Sequence, residues 1–340
     1  MEKEKEKFKI LSIDGGGIKG IFPAYLLMLI ESELEKRKDG KTKIYQHFDL
    51  LTGTSTGGII ALALSFGIPA KEIYELYLDN AKSIFGSKKS FFKQLFFSSH
   101  ESDFLENLIR NKFKEYNNGV DPRLKDCKTD VCIPIYDLVR GNPSVLKTPY
   151  HKAFIRDFHI PAYQAAMATA AAPTYFNPYS SKYVDLNDIN KSFINKVDGG
   201  VMANNPTLIA FLEAIKAFEV DISNLEIFSI GTGHKNFTDI NSRKNWGLYY
   251  WMRKNKRKRL IELFMQSQSQ LVANYISLLH KGIDRRENEN FIYDRVDVEL
   301  TEDSQMEMDE YDKKLISNFA ELAAIEYQYK RTDILNRHFY

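Results

Sequence analysis

The chain has 340 residues, a net charge of +2 at pH 7, and a composition that is 44% hydrophobic and 27% charged. The length allows one large α/β domain or two ordinary ones, and the composition is that of a chain that can build a core and is not disordered. The small net charge gives no reason to expect a nucleic-acid polymer as a partner. The two cysteines, Cys127 and Cys132, cannot form a disulfide framework and favour a reducing compartment, and no Cys/His spacing predicts a metal site.

The N-terminal residues, 1–7, alternate Glu and Lys after the initial Met and predict a solvated tail. They lack the apolar core that a signal peptide needs. The apolar run Ile21–Ile30 is too short to span a bilayer and instead predicts a buried helix. We therefore expect a cytoplasmic protein whose contact with any membrane is peripheral.

The first motif is a glycine-rich loop between a predicted strand, Phe8–Ile13, and a predicted helix, Ile21–Lys38. After Asp14 it consists of Gly15, Gly16, Gly17, Ile18, Lys19 and Gly20. Backbone N–H groups in such a loop are free to bind a phosphate or the oxyanion of an ester under attack. The loop also fits G-x-G-x-x-G, so a nucleotide-binding module that uses Glu33 or Glu35 for the ribose is an alternative. Without Gly-Lys-Ser/Thr it is not a P-loop.

The second motif is Gly53-Thr54-Ser55-Thr56-Gly57, which fits the nucleophile elbow G-x-S-x-G. An apolar approach from Phe48 to Leu51 precedes it, and an apolar helix, Ile59–Phe66, follows. The elbow places a serine hydroxyl at the positive end of a helix, where developing negative charge is stabilised. The alternative is a Gly/Ser/Thr turn that only caps the helix. A glycine-rich loop followed by a serine elbow indicates acyl chemistry.

Further elements follow in the order helix, helix, strand, strand, helix. The pattern predicts them at Ala70–Phe85, Ser102–Lys114, Asp130–Val139, Ser144–Thr148 and Pro161–Ala172. Between the first two helices, Phe91–Phe97 mixes aromatic residues with lysine. This segment suits a lid or a membrane-entry surface, and packing on the core is the alternative.

The next predicted strand, Phe193–Val197, ends at Asp198-Gly199-Gly200. A helix follows from Asn204 to about Phe218, and then a strand, Leu225–Ile230. Recurring strand–glycine–helix units predict a largely parallel sheet with helices on both faces. Without linkers or repeats, a single domain is the simplest interpretation.

The base that deprotonates Ser55 has two candidates. His234 lies at a strand end and follows Asp198 along the chain, which fits a Ser–Asp–His triad. Asp198 serves directly as general base if its surroundings raise its pKa above the ordinary value of about 3.9. A third interpretation makes Asp198 a helix cap.

Four motifs in this order resemble those of patatin-like phospholipases: Asp14–Gly20, Gly53–Gly57, Ala170–Phe176 and Asp198–Gly200. The similarity extends over residues 8–330 as a single domain. The resemblance implies a three-layer α/β fold and a Ser55–Asp198 dyad without histidine. It also implies an oxyanion hole in the glycine loop, formed by amides around Gly16, Gly17 and Ile18. Lys19 stands where the family more often has Arg, and it lacks the rigid fork of that residue.

The chain further resembles the bacterial cyclic-nucleotide-activated patatin phospholipases of anti-phage defence. This resemblance implies hydrolysis of membrane phospholipids at the inner face of the cell membrane, with no metal or cofactor and with a cyclic di- or trinucleotide as activator. A basic cluster, residues 253–259, is a candidate for contact with the anionic activator or with lipid headgroups; its cations are Arg253, Lys254, Lys256, Arg257, Lys258 and Arg259. The alternatives are an ungated lipid acyl hydrolase and a catalytically silent lipid-binding relative. The sequence leaves open whether the chain forms a homo-oligomer.

Overall fold

The computed structural model describes residues 7–37, 40–85, 102–235, 259–282, 291–301 and 306–340. Three parts of the chain named above lie outside these ranges: residues 1–6 of the tail, the segment Phe91–Phe97, and residues 253–258 of the basic cluster. Within the described ranges no helix has the length and hydropathy needed to cross a membrane.

The described strands form one eight-stranded sheet with the order β5-β6-β3-β2-β1-β7-β8, and β4 pairs with β3 off this path. The strands are β1 (Phe8–Ile13), β2 (Leu50–Gly53), β3 (Asp130–Asp137), β4 (Asn142–Lys147), β5 (Tyr179–Val184), β6 (Asn190–Asp198), β7 (Leu225–Ile230) and β8 (Ile292–Val296). The five strands from β3 to β8 along the path are parallel. Strands β4, β5 and β6 pair antiparallel. The predicted mostly parallel sheet is confirmed.

Helices cover both faces of this sheet. They are α1 (Ile21–Arg37), α2 (Thr56–Ser65), α3 (Ala70–Phe85), α4 (Asp103–Glu115), α5 (Ala162–Thr169), α6 (Gly200–Ala203), α7 (Thr207–Lys216), α8 (Arg259–Gly282) and α9 (Lys313–Ile334). Successive residues of β1 point to opposite faces, as a strand requires. Leu11 packs in the larger core with α1, α2 and α9, whereas Ile10 packs in the smaller core with α7 and α8.

The elements differ from the sequence predictions where proline intervenes. Helix α5 ends at Thr169 rather than Ala172, because the residue before Pro173 is disfavoured in the helical region. The helix predicted from Asn204 to Phe218 begins only after Pro206, and the short helix α6 precedes it. Strands β5 and β8 and the long helices α8 and α9 were not among the predicted elements.

The C-terminal turn ties β7 to β8 through a buried histidine. His338 has no exposed surface, and its ring nitrogens lie 3.0 Å from Glu226 Oε1 and 3.0 Å from Asp294 Oδ2. Burial alone would lower the pKa of His338, but hydrogen bonds with the two carboxylates raise it overall. The protonated imidazole therefore stabilises the two strands whose ends reach the candidate site.

The variant His338→Gln is expected to lower the free energy of unfolding by about 3 kcal/mol, because it breaks a buried ion pair. Since the folded-state pKa of His338 is raised, its charge stabilises the fold fully below about pH 6.5 and ceases to do so as pH rises through the folded-state pKa. Urea unfolding should therefore give a larger difference between wild type and variant at pH 6 than at pH 9. His151→Gln, at a histidine without a carboxylate partner among the described residues, is the control. An equal difference in the free energy of unfolding at both pH values would contradict a raised pKa for His338.

Candidate active site

Ser55 occupies the sharp turn between β2 and α2. Its backbone angles are φ 54° and ψ −123°, a region that non-glycine residues rarely adopt. Two hydrogen bonds support this turn: the Ser55 amide donates to Thr169 Oγ1 at 3.1 Å, and Thr54 Oγ1 donates to the Ala203 carbonyl at 2.6 Å. Ser55 is 5% exposed and sits at the N-terminus of α2, where the helix dipole favours negative charge.

The elbow glycines are required by close backbone approach. A Cβ on Gly53 would lie 2.0 Å from the Gly57 carbonyl oxygen, and a Cβ on Gly57 would lie 2.3 Å from the Ile13 carbonyl oxygen. Neither contact can relax without moving backbone. The glycines therefore let α2 begin directly against the ends of β1 and β2, which fixes the position of Ser55.

Asp198 reaches the site from the last residue of β6, opposite Ile135 of β3. Its amide donates to the Ala171 carbonyl at 3.1 Å. The following glycine, Gly199, passes over β3 so closely that a Cβ would lie 2.3 Å from the Pro134 carbonyl oxygen. Since β3 neighbours β2, this path brings the Asp198 carboxyl to Ser55.

Burial dominates the electrostatics of Asp198, which is 1% exposed. Burial raises its pKa to about 7, against smaller lowering effects of hydrogen bonds with the Ser55 hydroxyl and the Gly200 amide. The Gly200 amide donates to Oδ1 at 2.6 Å, whereas Oδ2 has no hydrogen bond of ordinary geometry within the described residues. Catalytic hydrogen bonds are often loose before substrate binds. A carboxyl in this state can accept a proton near neutral pH.

The glycine loop, residues 15–20, lies beside Ser55. A Cβ on Gly15 would be 3.3 Å from Ser55 Cβ, and one on Gly20 would be 2.1 Å from Thr56 Oγ1. Not all loop amides are available to a ligand, because those of Gly15, Ile18 and Lys19 donate to the carbonyl oxygens of residues Asn204, Met308 and Gly16.

Within the described residues, the amides of Gly16 and Gly17 have no acceptor, and Gly17 has a positive φ of 59°. The structure therefore differs from the expectation that Ile18 supplies an oxyanion donor. The Ile18 amide is taken by Met308 at 2.9 Å. Sequence alone could not foresee this bond, because Met308 is distant along the chain.

Two cavities adjoin the loop. The apolar cavity, of about 50 Å³, lies beside Ser55 and is lined among others by Ser55, Thr56, Ile59, Tyr175, Phe176 and Met308. The polar cavity, of about 480 Å³, is lined among others by Lys19, Thr232, His234, Lys235, Arg295 and Met308. Met308 and the glycine loop contribute to both cavities, so they separate the two spaces.

An ion-pair network anchors the start of the loop to β8 and the residues that follow it. Arg295 donates to both carboxylate oxygens of Asp14, at 3.2 and 2.7 Å, and to Asp297 at 3.0 Å. Burial alone would raise the pKa of Asp297, but Arg295 and His234 lower it to about 2. For Asp14, burial outweighs the arginine and raises the pKa to about 6. The network holds the loop in place from the side of the polar cavity.

The remaining candidates lie away from Ser55. His234 pairs with Asp297 at 3.3 Å and has no hydrogen bond to Ser55 or Asp198 within the described residues. Glu33 pairs with Arg331 and Glu35 with Lys43, about 20 Å along α1 from the glycine loop. Among the residues that the structure describes, no group of three or more His, Cys, Asp or Glu side chains could hold a metal ion.

Four residues of the site were missed by sequence reasoning: Thr169, Asn204, Arg295 and Asp297. Thr169 bridges Ser55 to β3, since its hydroxyl donates to the Pro134 carbonyl at 2.7 Å. The Asn204 side chain donates to the Gly15 carbonyl at 3.3 Å. Thr169 lies in the helix predicted at Pro161–Ala172, but nothing in that pattern marked it as part of a site. The arginine and the aspartate carry no local signal.

Comparison with known proteins gives a consistent result. The family model "Patatin-like phospholipase" matches residues 11–211. A "cGAMP-activated phospholipase" of Escherichia coli (strain TW11681) is 32% identical over 310 residues, which cover 85% of this chain and 80% of that protein. A protein of the same description from Vibrio cholerae is 35% identical over 68% of this chain and 66% of its own length. "Patatin-like protein 2" of Arabidopsis thaliana is 31% identical over 82% and 74%.

Among solved structures, VipD from Legionella pneumophila aligns with 96% of this chain and 67% of its own. The two share 13% sequence identity, and the TM-score is 0.41.

Proposed function

Because the chain belongs to the patatin-like phospholipase family, we propose that it releases fatty acids from membrane phospholipids with Ser55 as nucleophile and Asp198 as general base. That it is a lipid acyl hydrolase follows from the family. The observation that carries the residue assignment is the buried Asp198 carboxyl, whose pKa of about 7 and interaction with the Ser55 hydroxyl suit a base at neutral pH.

The proposed reaction has two halves. The Asp198 carboxylate accepts the hydroxyl proton while Ser55 Oγ attacks the ester carbonyl, and the tetrahedral intermediate expels the alcohol, which takes the proton from Asp198. Water then attacks the acyl-serine while Asp198 accepts one of its protons. The second tetrahedral intermediate releases the fatty acid as Ser55 Oγ takes that proton from Asp198. The same carboxyl thus serves as base and acid in both halves.

The oxyanion of each intermediate would form beside the glycine loop. The amides of Gly16 and Gly17, which have no acceptor among the described residues, are the proposed donors, and the N-terminus of α2 adds a favourable dipole. Donors of this kind contribute about 3 kcal/mol each to transition-state stabilisation. A backbone donor needs no reorganisation during the reaction.

We place activation by a cyclic di- or trinucleotide in the same proposal, with the inner face of the cell membrane as the site of action. Two relatives bear the description "cGAMP-activated phospholipase". The size of the apolar cavity supports a gated enzyme, because about 50 Å³ is far below the roughly 300 Å³ of a typical ligand pocket. A fatty acyl chain requires this cavity to open. An activator opens it only by binding the open state more tightly than the closed one.

The catalytic assignment predicts that Ser55→Ala and Asp198→Asn each reduce fatty-acid release by at least about 1,000-fold, and that the double variant loses no more. The His234→Ala variant should keep the wild-type rate with a soluble short-chain ester. Asp198→Asn should melt no lower than wild type at pH 8, since a folded-state pKa raised to about 7 means that the ionised carboxyl destabilises the fold there. A large loss in His234→Ala together with a small loss in Asp198→Asn would favour the triad instead.

Gating predicts that phosphatidylglycerol and phosphatidylethanolamine vesicles release little fatty acid until a cyclic nucleotide is added. Cyclic GMP–AMP is the first to test. Ser55→Ala with the same nucleotide is the matched control for contaminating lipases. Full hydrolysis without nucleotide would support the ungated alternative and end the gating proposal.

A further inference from the structure

The polar cavity has the size and lining of a binding site, although it lies apart from the apolar cavity at Ser55. Its volume of about 480 Å³ falls within the range of small-molecule pockets. Uncharged hydrogen-bonding side chains line much of it, among them Thr232, Gln266, Ser269, Gln270 and Asn274. Such a lining suits a ligand with hydroxyl or nitrogen groups and does not suit an acyl chain.

Lys19 gives this cavity a cation without a counterion. The residue is 8% exposed, and its side chain forms no hydrogen bond or ion pair within the described residues. Burial of an ammonium without a partner is costly, and burial accordingly lowers the pKa of Lys19. Lys19 lines the polar cavity and does not line the apolar cavity at Ser55.

Arg295 and Lys235, which also line the cavity, each have a carboxylate partner. Arg295 is held by Asp14 and Asp297, and Lys235 lies 4.0 Å from Glu262. The carboxylates of Glu262, Asp297 and Glu307 act on Lys19 through space, yet none forms an ion pair with it. Lys19 is therefore a buried cation of this lining that has no direct ion pair within the described residues, and an anionic oxygen of a ligand can supply that partner.

We propose that the polar cavity binds a phosphodiester, with the Lys19 ammonium as its principal charged contact. The phosphate neutralises the buried cation, and the groups esterified to it occupy the space lined by Thr232, Gln266, Ser269, Gln270 and Asn274. A free inorganic phosphate would leave most of that space unfilled.

Two molecules of the proposed function contain a phosphodiester: a cyclic dinucleotide and the headgroup of a phospholipid. The identity of the ligand therefore rests on the proposed function. Either would act next to the catalytic centre, because the glycine loop and Met308 border both cavities. The Met308 carbonyl also accepts the Ile18 amide at 2.9 Å, so a ligand that shifts this segment also shifts the loop beside Ser55.

The test is calorimetric titration of the full chain with cyclic GMP–AMP and, separately, with the soluble diesters glycerophosphoglycerol and glycerophosphoethanolamine. Lys19→Met removes the charge and keeps most of the volume, whereas Ala273→Phe fills the cavity from α8 and removes no charge. Lys147→Met is the matched control, because it removes one lysine that pairs with Glu213 elsewhere. An equimolar mixture of adenosine and guanosine provides the nucleosides without phosphate.

We expect wild type to bind at least one diester and not the nucleosides. Lys19→Met and Ala273→Phe should each weaken binding at least tenfold, and Lys147→Met should change it less than twofold. Binding of cyclic GMP–AMP identifies a nucleotide site, and binding of a glycerophosphodiester identifies a headgroup site.

Diester binding that is unchanged in Lys19→Met, or no diester binding to wild type, would overturn the proposal. If Lys19→Met does not fold, as judged by circular dichroism, the Ala273→Phe variant is used instead: diester binding that is unchanged in this variant would overturn the proposal. Ester hydrolysis by the same wild-type preparation is measured in parallel with a soluble short-chain ester. If wild type does not hydrolyse this ester, that result counts against the Ser55–Asp198 assignment, and the binding result still stands.

Discussion

The site depends on a carboxyl that is buried beside a hydroxyl, and within the described residues no cation acts on its pKa. Asp198 is 1% exposed, and burial raises its pKa against the smaller lowering effects of the Ser55 hydroxyl and the Gly200 amide. An arginine or lysine at this point would hold the pKa low and leave a weak base. The fold instead excludes water by placing Asp198 between β3 and the residues before Pro173. This burial suits the proposed role of Asp198 as a base near neutral pH.

The glycine loop is the second constraint, because it is shared by two spaces of opposite character. One side faces the apolar cavity at Ser55, and the other faces the polar cavity with Lys19 and Arg295. The Asp14–Arg295 ion pair fixes the start of the loop, and the Met308 carbonyl fixes its middle. A ligand bound on the polar side would act on the same backbone that is proposed to bind the oxyanion. The proposed regulation would then have a short physical path to the chemistry.

Sequence alone predicted the elements whose signals are local: the strand before the glycine loop, the elbow at Ser55, and the strand that ends at Asp198. Their glycines are visible because close backbone approach permits no other residue. The sequence did not predict interactions between residues that are distant along the chain. These include the hydrogen bond from Ser55 to Thr169, the Asp14–Arg295 ion pair and the hydrogen bond from Ile18 to Met308. The helices α8 and α9 were missed, although both contribute to the packing around the site.

The most direct test of this account is carbon-13 NMR of the aspartate side-chain carboxyls as a function of pH. We predict one carboxyl that titrates near pH 7, disappears in Asp198→Asn, and moves to a higher pKa in Ser55→Ala, where the stabilising hydroxyl is lost. Asp14, with a pKa of about 6, is expected to titrate nearby and to remain in both variants. If every aspartate carboxyl that titrates above pH 6.5 in wild type is still present in Asp198→Asn, the raised pKa does not belong to Asp198.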